Sequence, residues 1–100
     1  MPTAKLTSII AEELGRGYSA EFVENTTGGA ETFEIKDSPG KVARVVVESA
    51  IDVTLMDGTT AIWPTMSGPT DFNLAGTPMQ FDESISLTLS DDGDVYILYK

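Results

Sequence analysis

One hundred residues, 41% of them hydrophobic and 22% charged, match the size and make-up of one globular domain: such a chain buries roughly two-thirds of its unfolded surface and leaves no room for a second core. Sixteen acidic residues against six basic ones give a net charge of −10, a field that repels phosphate backbones and anionic headgroups and so argues against nucleic acid or a membrane surface as partner. Cysteine and histidine are both absent, which removes disulfides, thiolate metal sites, the commonest zinc ligand and the commonest general base.

The first six residues, Met1-Pro2-Thr3-Ala4-Lys5-Leu6, lack the basic and then apolar run of a secretory signal, and nothing approaches the ~20 apolar residues that span a bilayer. Synthesis in a cytoplasm, with no membrane partner, is the expectation. Ser8-Ile9-Ile10-Ala11-Glu12-Glu13-Leu14 has helix formers, a Ser8 N-cap, early acids and Gly15 as a stop. A helix of about two turns is marginal alone, because nucleation is costly, so it needs something to pack against. Residues 1–16 are therefore read as an N-terminal arm, helical or extended, and 17–100 as the domain proper.

From Tyr18 onward, short runs rich in Val, Ile, Thr and aromatics are punctuated by Gly, Pro, Asp and Asn about every ten residues, the spacing of a sandwich or barrel. Strands are predicted near 18–24, 31–36, 41–48, 51–56, 59–63, 71–74, 78–81, 84–90 and 94–99. Ile51, Val53 and Leu55 alternate with polar neighbours, as do Ile85, Leu87 and Leu89, which predicts one wet face for each strand. Val42-Ala43-Arg44-Val45-Val46-Val47 is apolar on both faces apart from Arg44, which suits a central strand packed on two sides or covered by the N-terminal segment. Gly28-Gly29, Asp57-Gly58 and Asp92-Gly93 are expected to supply positive φ angles in tight turns, with Pro39-Gly40 as a further turn. Pro64, Pro69 and Pro78 mark 64–78 as a longer loop or edge region. The fold class is all-β, an antiparallel β-sandwich.

No nucleophile-base pair survives the loss of His and Cys, and with sixteen acids a close carboxylate pair carries little information. Asp91-Asp92-Gly93-Asp94 has acidic-loop character but not the calcium-loop spacing, so a hairpin turn is the better reading. Asp57-Gly58-Thr59 is likewise read as a turn, and Asn25-Thr26-Thr27 as a chance match to a glycosylation sequon. The glycines open no phosphate-cradling helix. Trp63, Tyr18, Tyr96 and Tyr99 offer aromatic surface for sugar stacking, although Trp63 before Pro64 also suits core or rim packing. No catalytic residue, cofactor, metal or small-molecule substrate is predicted, and the protein is not expected to be an enzyme.

Several segments carry a family resemblance across residues 15 to 100. They are the opening Gly17-Tyr18, then Ser38-Pro39-Gly40-Lys41-Val42-Ala43-Arg44-Val45, Ile51-Asp52-Val53-Thr54-Leu55-Met56-Asp57-Gly58-Thr59, Thr77-Pro78-Met79-Gln80-Phe81, Ile85-Ser86-Leu87-Thr88-Leu89 and Val95-Tyr96-Ile97-Leu98-Tyr99-Lys100. Together they resemble the small β-sandwich virion structural proteins of tailed bacteriophages, which serve as head decoration (cement) proteins, fibre or spike modules, or neck components. The resemblance implies a fold more than a role.

The expected role is capsid decoration on the outside of a phage head. The major capsid protein is the expected partner, and a homo-oligomer, with a trimer favoured, would sit at a local symmetry axis. The contact residues expected in the arm are Leu6, Ile9, Ile10 and Leu14, flanked by Lys5 and Arg16. Ordinary packing of the same residues on their own sandwich stays open as the plainer reading. Two alternatives also stand: a carbohydrate- or receptor-binding fibre module using Trp63, and a minor head-tail joining protein.

Overall fold

The computed structural model describes residues 17–62, 65–74 and 77–100. Among them there is no helix, and two antiparallel sheets pack face to face. The chain forms β1 (Ser19–Asn25), β2 (Glu31–Lys36), β3 (Gly40–Val47), β4 (Asp52–Asp57), β5 (Thr60–Ala61), β6 (Met66–Ser67), β7 (Thr70–Asn73), β8 (Met79–Phe81), β9 (Ile85–Leu89) and β10 (Gly93–Tyr99). Sheet A has the order β1-β10-β3-β7, with β8 also on β3; sheet B runs β2-β9-β4-β5, with β6 also on β4. The fold is an antiparallel β-sandwich.

The alternation that predicts the strands also builds the core. Val53, Leu55, Ile85, Leu87 and Leu89 of sheet B meet Val42, Val45, Val47, Val95 and Ile97 of sheet A, and Phe81 fills the space beside them. Each such side chain taken fully out of water contributes about 1.5–3 kcal/mol before chain entropy is set against it. On β9 the predicted wet face is only partly wet: Ser86 is buried, because β9 lies between β2 and β4 and neighbouring side chains cover it.

β3 is central, as its apolar run predicts, but it changes phase midway. Val42 and Val45 both face the core, and the register against β10 slips between Leu98 and Tyr99. Ala43 is the extra residue of this bulge, and its carbonyl accepts the Leu74 N–H at 2.6 Å. The bulge divides the strand, with 40–42 pairing β8 and 44–47 pairing β7, and it sends Arg44 to the outer face.

The proline-rich stretch supplies short edge strands to both sheets rather than a loop alone. Met66 of β6 anchors in the core, and β7 closes one edge of sheet A. The strand predicted over 59–63 is shorter, covering only Thr60–Ala61 among the described residues.

Three of the expected turn glycines behave differently. Gly28 (φ 86°) and Gly58 (φ 62°) take the left-handed conformation, whereas Gly29, Gly40 and Gly93 do not. Gly93 opens β10, and a Cβ there would stand 2.7 Å from Ser49 Cβ and 2.8 Å from Ile51 Cδ1. Glycine is needed at that point for space, not for φ. Gly40 begins β3, and a Cβ there would run into the Lys100 carbonyl.

Candidate interaction surface

Strand alternation gives the two outer faces opposite characters. Sheet B presents hydroxyls: Thr32 and Thr88 lie 2.9 Å apart across β2 and β9, and Thr54 reaches Thr65 at 3.3 Å. The outer side of sheet A mixes apolar, aromatic and polar side chains, and among them Leu98 and Tyr96 are buried. One row runs Ala20–Leu98–Arg44–Asn73 and the next Phe22–Tyr96–Val46–Asp71, in register across β1, β10, β3 and β7.

Phe22 is the exposed large hydrophobic residue of the described chain, at 47%. Its ring stacks obliquely on Tyr96, with centroids 4.7 Å apart and planes 34° apart, the offset geometry that aromatic quadrupoles favour. Burial pushes the Tyr96 phenol above its ordinary pKa, and the nearby charges of Glu48 and Asp94 push the same way. At the β7 side, Arg44 donates from Nε to Asp71 Oδ1 at 2.8 Å and from Nη2 to Oδ2 at 2.6 Å, a two-point pair that fixes the guanidinium over the sheet. At the other end, Lys100 Nζ stands 5.1 Å from the centre of the Tyr18 ring.

Two edge strands, β1 and β2, are guarded by charge. Glu21 pairs with Ile97 and so has the core-facing parity, as does Glu31 opposite Leu89, yet both are exposed at edge strands. Charges placed this way discourage another strand from pairing.

Two polar residues that could be taken for functional groups are structural. Asn25 is 1% exposed. Its Nδ2 donates to the Gly29 and Asp91 carbonyls at 2.8 and 3.0 Å, and its Oδ1 accepts from Thr27 N and Oγ1 at 3.1 and 2.8 Å. All four capacities are used, so the sequon asparagine is a loop fastener with no amide to offer. Asp57 ends β4 and accepts the backbone N–H groups of Asp82, Glu83 and Ser84 at 2.9, 2.8 and 3.3 Å. The Asp82 and Glu83 hydrogen bonds lower its pKa against the opposing effect of burial. It pins the crossing from sheet A to sheet B between β8 and β9.

Asp91 and Asp92 are also engaged locally: Asp91 Oδ1 accepts the Asp92 N–H, and Asp92 Oδ1 accepts the Gly28 N–H, both at 2.8 Å. Among the described residues no group of three or more acidic side chains is placed to hold a metal ion.

The arm residues Lys5, Leu6, Ile9, Ile10, Leu14 and Arg16, and the stacking candidate Trp63, lie outside the described residues. Of the residues around Phe22 on the outer side of sheet A, Tyr96 is expected only as a stacking aromatic, and Phe22, Val46 and Leu98 are not among the expected site residues. A signal of that side is in the sequence nonetheless: Val95-Tyr96-Ile97-Leu98-Tyr99 is apolar at every position, the pattern of a strand covered on both sides. No protein family, curated protein or solved structure matches the chain.

Proposed function

We propose that this protein works as a structural binding module, and that its place is the outside of a tailed-phage head, where it decorates and stabilises the shell. The observation that carries the binding reading is Phe22 on the outer face of sheet A, the exposed large hydrophobic residue of the described chain at 47%, stacked on Tyr96 and in one row with Val46. The head-decoration reading rests on the segments that resemble phage virion sandwiches and on the net charge of −10, which suits an exterior position better than a DNA-filled interior.

The contact layer in this reading is the arm together with sheet A. Repetition at symmetry-related sites sums modest contacts against the pressure of packaged genome, and a homo-oligomer, with a trimer favoured, fits a local axis. Purified protein added to genome-free heads that lack it should bind to saturation. A chain lacking residues 1–16 should keep its β-sheet signature and fail to bind. Unfolding of the truncated chain, or undiminished binding, overturns the role given to the arm.

A further inference from the structure

Alternation along β1 puts Glu24 on the same side of sheet A as Phe22, one pleat further along, and β10 does the same with Asp94 and Tyr96. Glu24 pairs directly with Asp94, as Phe22 does with Tyr96. Just after β3, Glu48 donates its backbone N–H to the Asp94 carbonyl at 3.0 Å, which brings a third carboxylate into that row. The charges of Glu48 and Asp94 act on the Tyr96 phenol, so the acids and the aromatic pair share one patch.

The cations of this face among the described residues stand away from Glu24 and Asp94. Arg44 is committed to Asp71 through its Nε and Nη2 hydrogen bonds. Lys41 and Lys100 exchange backbone hydrogen bonds at the far end of β3 and β10. From Asp94 to Lys100 along β10 is about 20 Å. The screening length at physiological salt is about 8 Å, so these lysines leave the field over Glu24 and Asp94 negative.

Tyr96 backs the Phe22 ring, and 47% of Phe22 is open to solvent. An exposed ring beside carboxylates suits a cation that carries apolar surface: the ring face attracts the charge and the carboxylates accept its hydrogen bonds. An anion gains neither interaction. Arginine fits better than lysine, because one planar guanidinium both stacks on a ring and forks onto a carboxylate. Phe22 and Glu24, two residues apart on one strand face, are separated by about 7 Å, within reach of one arginine side chain and its stem.

We propose that Phe22, Glu24 and Asp94 form the docking site for an arginine-bearing basic segment of a partner protein, with the guanidinium lying on the Phe22 ring and reaching the carboxylates. The inference rests on the reading of Phe22 as the mark of a contact surface. It stands whether or not the partner is a capsid.

The probe is the acetylated, amidated peptide Leu-Arg-Leu-Arg, titrated at low salt into the isotope-labelled full chain, with the same peptide carrying citrulline for arginine as the neutral control. The arginine peptide should move the amide signals of Phe22, Glu24, Asp94 and Tyr96 and leave Thr32 and Thr88 on the far face in place; the citrulline peptide should move none. Phe22→Leu should weaken binding about threefold, and Glu24→Gln with Asp94→Asn about tenfold. Glu34→Gln with Asp37→Asn removes the same charge elsewhere and should change binding by less than about twofold. Equal binding of the citrulline peptide, acid variants that bind like wild type, or a charge-matched control that weakens as much would each overturn the proposal. Signals of Phe22 and Asp94 that move on concentrating the free protein, or in the free chain with Lys5→Gln and Arg16→Gln, would assign the site to a second copy or to this chain's own cations and overturn it too. The contact-surface reading is separated by binding of Phe22→Ser to genome-free heads. Lost head binding beside a failed peptide titration overturns the cationic partner alone, and head binding equal to wild type overturns both.

Discussion

Replacing Asn25 removes a fastener that ties the β1–β2 loop to the β9–β10 turn. The side chain is 1% exposed and makes four hydrogen bonds, two donated to the Gly29 and Asp91 carbonyls and two accepted from Thr27. Because both Nδ2 partners are carbonyl oxygens and both Oδ1 partners are donors, the amide has one sensible orientation. At a net 0.5–1.5 kcal/mol per bond, with the loop groups recovering part of the loss from water, Asn25→Ala should cost about 2–4 kcal/mol. For a domain of this size that is a fall in melting temperature of roughly 10–25 °C.

Asn25→Asp is the sharper variant, since it keeps shape and the accepted bonds but sets a carboxylate against the two carbonyls. The folded-state pKa of that carboxyl is raised above its unfolded value near 3.9. A raised acid destabilises the fold above the unfolded pKa, and the penalty shrinks as pH falls through the folded pKa. Thermal melts from pH 7 to pH 3, each referred to wild type at the same pH, should show the aspartate variant recovering and the alanine variant not. An alanine variant within a few degrees of wild type, or an aspartate variant with a flat difference, refutes the network described for Asn25.

The remaining predictions concern the β8–β9 crossing and the close-packed glycines. Asp57 has a lowered pKa in the folded protein through the Asp82 and Glu83 N–H groups, so its contribution is present above the ordinary carboxylate pKa and lost as pH falls through the folded value. Asp57→Asn should lower the melting temperature at pH 7, with the gap to wild type closing in acid; a gap that stays constant down to pH 2 contradicts this. Gly93→Ala forces a Cβ within 2.7 Å of Ser49 Cβ and should cost about 1–3 kcal/mol in denaturant titration. Gly29→Ala meets nothing within 4 Å and lies outside the left-handed region, so it should be neutral or stabilising by up to about 1 kcal/mol.

The sandwich is legible in the sequence because its strands obey the period of two. Ile51-Val53-Leu55 and Ile85-Leu87-Leu89 place whole faces in the core, and each is buried as that period demands. Where legibility fails, a non-local contact decides. Gly93 looks like a turn residue beside Asp92, but its reason is the approach of Ser49 and Ile51, far away in the chain. The bulge at Ala43 cannot be read from six nearly uniform apolar residues, since either phase of β3 satisfies the pattern. Asn25 looks like a sequon and Asp57 like a turn aspartate, because the groups that they fasten, Asp91 and residues 82–84, come from connections distant in the chain. The outer side of sheet A is half legible: the apolar run 95–99 announces a doubly covered strand, but only the register to Phe22 and Val46 shows which residues share that side.

The claim on which the functional account depends is that this acidic sandwich is a repeated exterior component of a phage head. Quantitative mass spectrometry of purified virions, scaled to the major capsid protein, tests it most directly. A copy number matching the local symmetry axes of the shell is the predicted result. A count matching a single ring at the head-tail joint, or no chain in the virion at all, contradicts it.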